Sequence, residues 1–382
     1  LKSLYGFVQA ARQWWKKFIE VMKSIGYEPS PADPCLFLRQ SKDKKKNSFV
    51  IIYVDDGGIF GTKEDVNELI KALSKDFKVK YLGDLEHFVG CHIIENKAKD
   101  TMWIHQPKLL KHLKQEFSKY IHTTKIYATP AGPKTMCMRP QEGDILISTE
   151  EQSKFRSGVG MLLYLVKQSR QDISNAVREL SKVSDGATPG HCKAMIRLIK
   201  YVMDTEHYGL KLKPKKKDEL FYLEGISDSE YAGDKDNRIS VYGYILYFCG
   251  APIAWKSKAG KSVTLSSTEA EYFAGSEVAK EVIYTKQLVE SMGFKIKLPI
   301  VIRVDNVGAI YISNNHTMSQ RTKHIDICAH FVQEFIEDGI LKIVFIRSED
   351  NDADIFTKNT TEDLFIKHSS KNVEGVDKDV YK

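Results

Sequence analysis

Six acidic side chains in this 382-residue sequence stand where they could do chemistry. Asp55 and Asp56 are adjacent and end an apolar run, Phe49 to Val54. Asp228 and Asp305 follow β-prone runs, Glu271 falls early in a long helical stretch, and Asp354 opens a short one. An acid after a strand is commonly a turn former or a helix cap, so no single one of them carries a reading. Carboxylates gathered together repel unless cations lie between them, and magnesium, which takes oxygen ligands, suits such a group. Two magnesium ions about 4 Å apart activate a water and stabilise the leaving oxygen of an in-line phosphodiester hydrolysis. Metal-dependent nuclease chemistry is therefore expected of Asp228, Glu271, Asp305 and Asp354. Glu269 is the alternative to Glu271, which is preferred because Ala274 and Val278 follow it on the same helix face.

The elements that must position these residues are read from periodicity. Residues 220–357 predict strands at Leu220–Ile226, Val241–Phe248 and Ala251–Lys256, then a helix from Ser266 to near Met292. A strand Ile300–Val304, two helical stretches, a strand Leu341–Ile346 and a short helix at Asp354 follow. In this order, β-β-β-α-β-α-α-β-α, Asp228 lies just past the first strand and Asp305 just past the fourth. Strand ends and helix starts of a mixed sheet converge on one edge, so all four acids can meet there. Upstream, Trp14, Phe18, Met22 and Ile25 trace one helix face, and Val66, Leu69, Ile70, Leu73 and Phe77 another. Pro107–Tyr120 predicts a third helix, residues 126–147 an extended linker, and residues 148–205 an all-helical stretch opened by a capping box at Ser148-Thr149-Glu150-Glu151. Thr188-Pro189 starts a further helix. The lysine-rich stretch Lys211–Lys217 reads as a solvated hinge, and the tail from Ser369 to Lys382 as loose.

Length and composition predict two or three domains with packed cores. The net charge of +7 suits a protein that meets phosphate backbones. Six cysteines, Cys35, Cys91, Cys137, Cys192, Cys249 and Cys328, show no CxxC spacing; they read as reduced, mostly buried thiols of an intracellular protein, in a cytoplasmic particle or the nucleus. No apolar run is long enough to span a bilayer, so no membrane partner is expected. The first residue is Leu rather than Met, which reads as a fragment of something longer.

The second half carries a family resemblance. Ser227-Asp228-Ser229-Glu230-Tyr231-Ala232-Gly233-Asp234 resembles the family segment S-D-A-D-W-A-G-D, and Leu265-Ser266-Ser267-Thr268-Glu269-Ala270-Glu271-Tyr272 matches L-S-S-T-E-A-E-Y. Val304-Asp305-Asn306, Arg321-Thr322-Lys323-His324-Ile325-Asp326-Ile327 and Ala353-Asp354-Ile355-Phe356-Thr357-Lys358 follow in order. All five resemble the RNase H of copia-like retrotransposons. The resemblance implies an RNase H fold, cleavage of RNA in an RNA–DNA hybrid, two Mg2+ ions, and ligation by Asp228, Glu271, Asp305 and Asp354. Asn306, Arg321, Lys323 and His324 are the implied contacts to the nucleic acid. No histidine lies in the stretch from Arg347 to Ala353, where some relatives have one.

The first half extends the likeness. Tyr53-Val54-Asp55-Asp56 resembles the catalytic hairpin of reverse transcriptases, with Asp55 and Asp56 as metal ligands. Leu4-Tyr5-Gly6-Phe7-Val8-Gln9-Ala10-Ala11-Arg12-Gln13-Trp14 resembles L-Y-G-L-K-Q-A-P-R-x-W, where Arg12 could meet a phosphate of DNA or RNA. Tyr81-Leu82-Gly83-Asp84-Leu85 and Arg170-Gln171-Asp172-Ile173 resemble later segments. Such polymerases use a third carboxylate from a motif upstream of L-Y-G, so Asp55 and Asp56 are expected to lack their partner and the chain alone to synthesise no DNA. Val8, Ala11, Gly57-Gly58 and Tyr231 depart from the family pattern, as in a decaying element.

The expected architecture is multidomain, α/β and α+β. It comprises a truncated reverse-transcriptase palm (1–125), a linker and helical thumb or connection (126–218), an RNase H-like mixed five-stranded sheet with flanking helices (219–366) and a flexible tail (367–382). A non-catalytic nucleic-acid-binding remnant is the alternative to a nuclease, and an integrase, which clusters acids on a similar fold, is a third reading that the tandem order after Y-V-D-D disfavours.

Overall fold

The computed structural model describes residues 7–40, 47–122, 124–215, 220–314 and 326–376. The chain forms two compact units, Leu1–Val89 with Tyr284–Lys295, and Gly90–Ile283 with Ile296–Lys382. It is a mixed α/β protein with eleven α-helices and several sheets among the described residues.

The first unit holds α1 (Val8–Ser24), an antiparallel sheet of β1 (Glu28–Pro29), β2 (Leu36–Gln40), β3 (Asn47–Tyr53) and β4 (Asp56–Phe60), then α2 (Lys63–Leu73) and a two-residue strand β5 (His87–Phe88). The expected stripe of α1 turns inward at Phe18 and Met22, and Trp14 stacks on Phe18 at 5.2 Å between ring centroids. With Tyr27, Phe37, Val50 and Leu69 they make one core. β3 alternates, with Ser48 and Val50 buried and Ile51 exposed, so the apolar run is a half-buried strand. A capping box between Thr62 and Asp65 starts α2.

The second unit begins with β6 (Cys91–Glu95), β7 (Met102–His105) and α3 (Pro107–Phe117), followed by α4 (Thr149–Gln168), α5 (Ser174–Ser181), α6 (Pro189–Asp204) and β8 (Tyr208–Leu212). The capping box of Ser148 and Glu151 opens α4, and Thr188-Pro189 opens α6, as the sequence predicts. Then come β9 (Leu223–Glu230), β10 (Val241–Phe248), β11 (Ala251–Ala259), α7 (Ser267–Ser291), β12 (Ile300–Val304), α8 (Val307–Asn314), α9 (Asp326–Glu337), β13 (Leu341–Phe345), α10 (Asp354–Thr357), α11 (Glu362–Ser369) and β14 (Val373–Gly375). From β9 to α10 the element order is the predicted one.

β9 to β13 form a five-stranded mixed sheet in the order β11-β10-β9-β12-β13. The first three strands are antiparallel, and β12 runs parallel to both β9 and β13. Helices cover both faces, and two glycines let them come close. A Cβ on Gly225 of β9 would stand 2.8 Å from Val278 of α7; one on Gly243 of β10 would stand 2.8 Å from both Phe356 and Thr357 of α10. Buried residues of α3 to α6 join Ile226, Ile245, Tyr247, Ile355, Phe356 and Phe365 in one continuous core. The excursion before α4 packs against the segment after α10, where the Lys134 amide donates to the Asn359 carbonyl and the Asn359 amide to Thr135.

Two expectations about flanking segments are corrected. Lys211 is not in a solvated hinge but in β8, paired with Glu374 at 2.8 Å; the end of that lysine-rich stretch lies outside the described residues. The tail is not loose from Ser369: β14 pairs antiparallel with β8, because Val373 and Val376 have apolar surface to bury there. Among the described cysteines Cys91, Cys137 and Cys249 are buried and Cys35 is exposed, all as free thiols. No helix among the described residues is long and apolar enough to cross a membrane.

Two stability measurements test this packing. Gly243→Ala forces α10 off the sheet and is expected to cost about 1–3 kcal/mol in urea unfolding. Arg170 is fully buried and forked onto Asp172 at 2.9 and 2.8 Å, and Asp172 also accepts from the Tyr201 hydroxyl at 2.9 Å. Arg170→Leu leaves that carboxylate buried without its partner and is expected to cost about 3–5 kcal/mol; a loss under 1 kcal/mol would show the pair to be dispensable.

Candidate metal centre

Asp228 lies inside β9, not past its end as the sequence suggests. β10 pairs with β9 along its whole length, Gly243 opposite Asp228 and Val241 opposite Glu230. The polar run Ser227 to Glu230 hides this extension: its first members are buried beneath helices, and pattern reading expects buried strand residues to be apolar. Asp228 is 1% exposed, and its Oδ2 accepts from the Thr357 hydroxyl of α10. Asn351, itself buried, donates to the Ser227 carbonyl at 2.9 Å and ties the segment before α10 to β9.

The remaining acids arrive from three other elements. Glu271, in the second turn of α7, accepts from the Ser229 amide at 3.1 Å and the Ser229 hydroxyl at 2.8 Å through Oε1. Its Oε2 is buried with no hydrogen-bond partner. Glu269 is used differently: its Oε2 accepts from the Leu265 amide at 2.7 Å and closes the start of α7. Asp305 directly follows β12 and accepts from the Ser348 hydroxyl at 2.8 Å. Asp354 opens α10, hydrogen-bonds Asp228, and pairs with Lys358 at 3.0 Å.

One oxygen each from Asp228, Glu271 and Asp305 lies within 4.8 Å of the other two. Asp354 stands beside this group, through Asp228, rather than within it. Burial and mutual repulsion hold protons on the cluster. Burial, then the Asp354 charge, pushes Asp228 up to about 6. Burial, then Asp228 and Asp305, pushes Glu271 up to about 9. Asp305 and Asp354 are also raised, in each case first by burial. Three converging carboxylates, one with an orphaned buried oxygen, form an all-oxygen donor set that fits a hard divalent cation.

The other candidate residues fall elsewhere. Asn306 caps α8, its Oδ1 accepting from the Ala309 amide at 3.0 Å. Arg321, Lys323 and His324 lie outside the described residues. In the first unit Arg12 is exposed on α1. Asp55 and Asp56 sit at an open hairpin where Tyr53 pairs with Asp56 across the loop Val54-Asp55. Val54 has a φ of 58°, a left-handed conformation costly for a β-branched residue. Among the described residues no third His, Cys, Asp or Glu joins these two aspartates in a group able to hold a metal. Sequence reasoning assigned no role to Ser229, Ser348, Thr357 or Lys358. Only Lys358 left a signal, four residues after Asp354 and so on the same side of one helical turn.

Known proteins bear on this arrangement. A family model described as reverse transcriptase (RNA-dependent DNA polymerase) matches residues 1–130. The retrovirus-related Pol polyprotein from transposon TNT 1-94 of Nicotiana tabacum is 35% identical over 365 residues, 94% of this chain and 26% of that protein. The retrovirus-related Pol polyproteins from transposons RE1 and RE2 of Arabidopsis thaliana are 34% and 32% identical, each over 97% of this chain and 24% of their own length. The chain thus spans about a quarter of the curated relatives it matches. Likeness that runs through both compact units, with a reverse-transcriptase match at the front, makes this chain a member of the copia-like retrotransposon Pol polyprotein family.

Proposed function

We propose that the second unit is an RNase H-type endonuclease that cleaves the RNA strand of RNA–DNA hybrids. The observation that carries the reading is the convergence of Asp228, Glu271 and Asp305 with an unpartnered Glu271 oxygen among them. The mixed sheet β11-β10-β9-β12-β13, with its acids on β9, after β12 and on flanking helices, supports the same assignment. The family's nucleic-acid processing supports a hybrid as the substrate, and the net charge of +7 suits a phosphate backbone. The paired aspartates of the first unit stand without a third ligand among the described residues, so the proposal rests on the second unit alone.

Asp228, Glu271 and Asp305 would hold one magnesium ion and Asp354, beside Asp228, would serve a second; the chemistry supplied there is activation of a water and stabilisation of the leaving oxygen in phosphodiester hydrolysis. The protein's own contribution is orientation. Ser229 fixes one Glu271 oxygen and leaves the other free, Ser348 turns Asp305, and Thr357 holds Asp228. Burial strengthens every charge interaction made at this edge.

Cleavage of a labelled RNA–DNA hybrid in magnesium tests the reading. Asp305→Asn should lower the rate at least about 100-fold while hybrid binding is kept. A wild-type chain that binds the hybrid but never cuts it would favour the non-catalytic remnant instead.

The proton load of the cluster predicts a pH dependence. The folded-state values of Asp228 and Glu271 lie above those of free carboxylates, so their contribution to stability is full below about pH 4. It is lost as pH rises through about 6 for Asp228 and about 9 for Glu271. Without divalent ions the melting temperature should therefore fall between pH 5 and pH 8. Added magnesium should restore it more at pH 8 than at pH 5, because deprotonated carboxylates are the ones that bind. A metal-free melting temperature that is flat or rises over this range would contradict the buried, mutually repelling arrangement.

A further inference from the structure

Lys358 touches the carboxylate cluster on one side only. Its Nζ lies 3.0 Å from Asp354 Oδ1 and 3.8 Å from Asp228 Oδ2, and among the described residues it comes within 4 Å of neither the Glu271 nor the Asp305 carboxylate. Two buried oxygens of the cluster, Glu271 Oε2 and Asp354 Oδ1, accept no hydrogen bond, and of the two only Asp354 Oδ1 has an ion-pair partner among the described residues, Lys358; in that respect the cluster is asymmetric. A divalent ion on the Asp228–Asp354 side must reach the same oxygens that the ammonium holds, at roughly 2.0–2.1 Å for magnesium, and must meet the ammonium's repulsion. The Lys358 side chain is 39% exposed on a flexible stem, so it is free to withdraw.

We propose that Lys358 is a resident cation that guards the second metal position, so that the protein takes one divalent ion on the Asp228–Glu271–Asp305 side and admits another only when the lysine leaves. Lys358 acts here as a positioning residue. It keeps Asp354 and Asp228 together in the ion-free protein and sets the order in which the two ions bind. The inference rests on the nuclease reading above, because it requires that the cluster bind divalent cations.

The test counts bound manganese by electron paramagnetic resonance on the full chain, with no nucleic acid present. The wild type should bind one ion tightly and a second weakly. Lys358→Met should tighten the second ion at least about tenfold, Lys358→Gln should do the same, and Lys358→Arg, which keeps the charge, should leave it weak. Thermal unfolding in chelator establishes that each variant is folded. Equal second-ion affinity in wild type, Lys358→Met and Lys358→Gln overturns the role of Lys358 while leaving the nuclease reading intact. Failure of the wild type to bind any manganese that Glu271→Gln weakens overturns both.

Discussion

Repulsion between buried carboxylates is the constraint on which this structure turns. Asp228, Glu271 and Asp354 are each more than nine-tenths buried, and Asp305 stands against them. Such a group is costly unless it is protonated, hydrogen-bonded or matched by cations. All three remedies are present. Asp228 holds its proton up to about pH 6 and Glu271 up to about pH 9, Ser229, Ser348 and Thr357 donate hydrogen bonds, and Lys358 supplies one positive charge. Two buried oxygens, Glu271 Oε2 and Asp354 Oδ1, still accept no hydrogen bond, and it is on the first of these that the proposed metal site rests.

Holding such a cluster together takes a stiff scaffold. β9 is the central strand, paired with β10 on one side and β12 on the other, so Asp228 cannot slide without breaking two ladders. α10 is only four residues long and would not persist alone. It is fixed by Gly243, which lets it lie directly on β10, by Asn351, which ties its approach to β9, and by Phe356, which enters the core shared with α4 to α6. The helical stretch upstream therefore does more than connect: its apolar side chains close the face of the sheet that carries Asp228.

The first unit presents a different kind of site. Asp55 and Asp56 lie on an exposed two-residue hairpin with Val54 in a left-handed conformation, and among the described residues no third metal-ligating side chain joins them in a group able to hold an ion. That hairpin is exposed and carries a β-branched residue in a left-handed conformation, whereas the carboxylates of the second unit are gathered in the interior.

What the linear chain determined by itself was the set of acids and the order of elements that bear them. Strand and helix periodicity located β10, α7 and β12 almost to the residue, and the capping box at Ser148 and the Thr188-Pro189 start located α4 and α6, because these signals are local. Of the two glutamates the sequence offered, the fold brings Glu271 beside Asp228 and Asp305 and sets Glu269 at the start of α7. Tertiary structure decided the rest. The polar run Ser227 to Glu230 became strand because a partner strand and covering helices satisfied it, and Val373–Gly375 became ordered because β8 offered a free edge. Lys358, Ser229, Ser348 and Thr357 entered the site because only the folded chain sets them beside acids up to 129 positions away. Hydrogen bonds between such distant residues leave no period in the sequence, and so, apart from Lys358 four residues after Asp354, the partners of the carboxylates were invisible until the sheet was assembled.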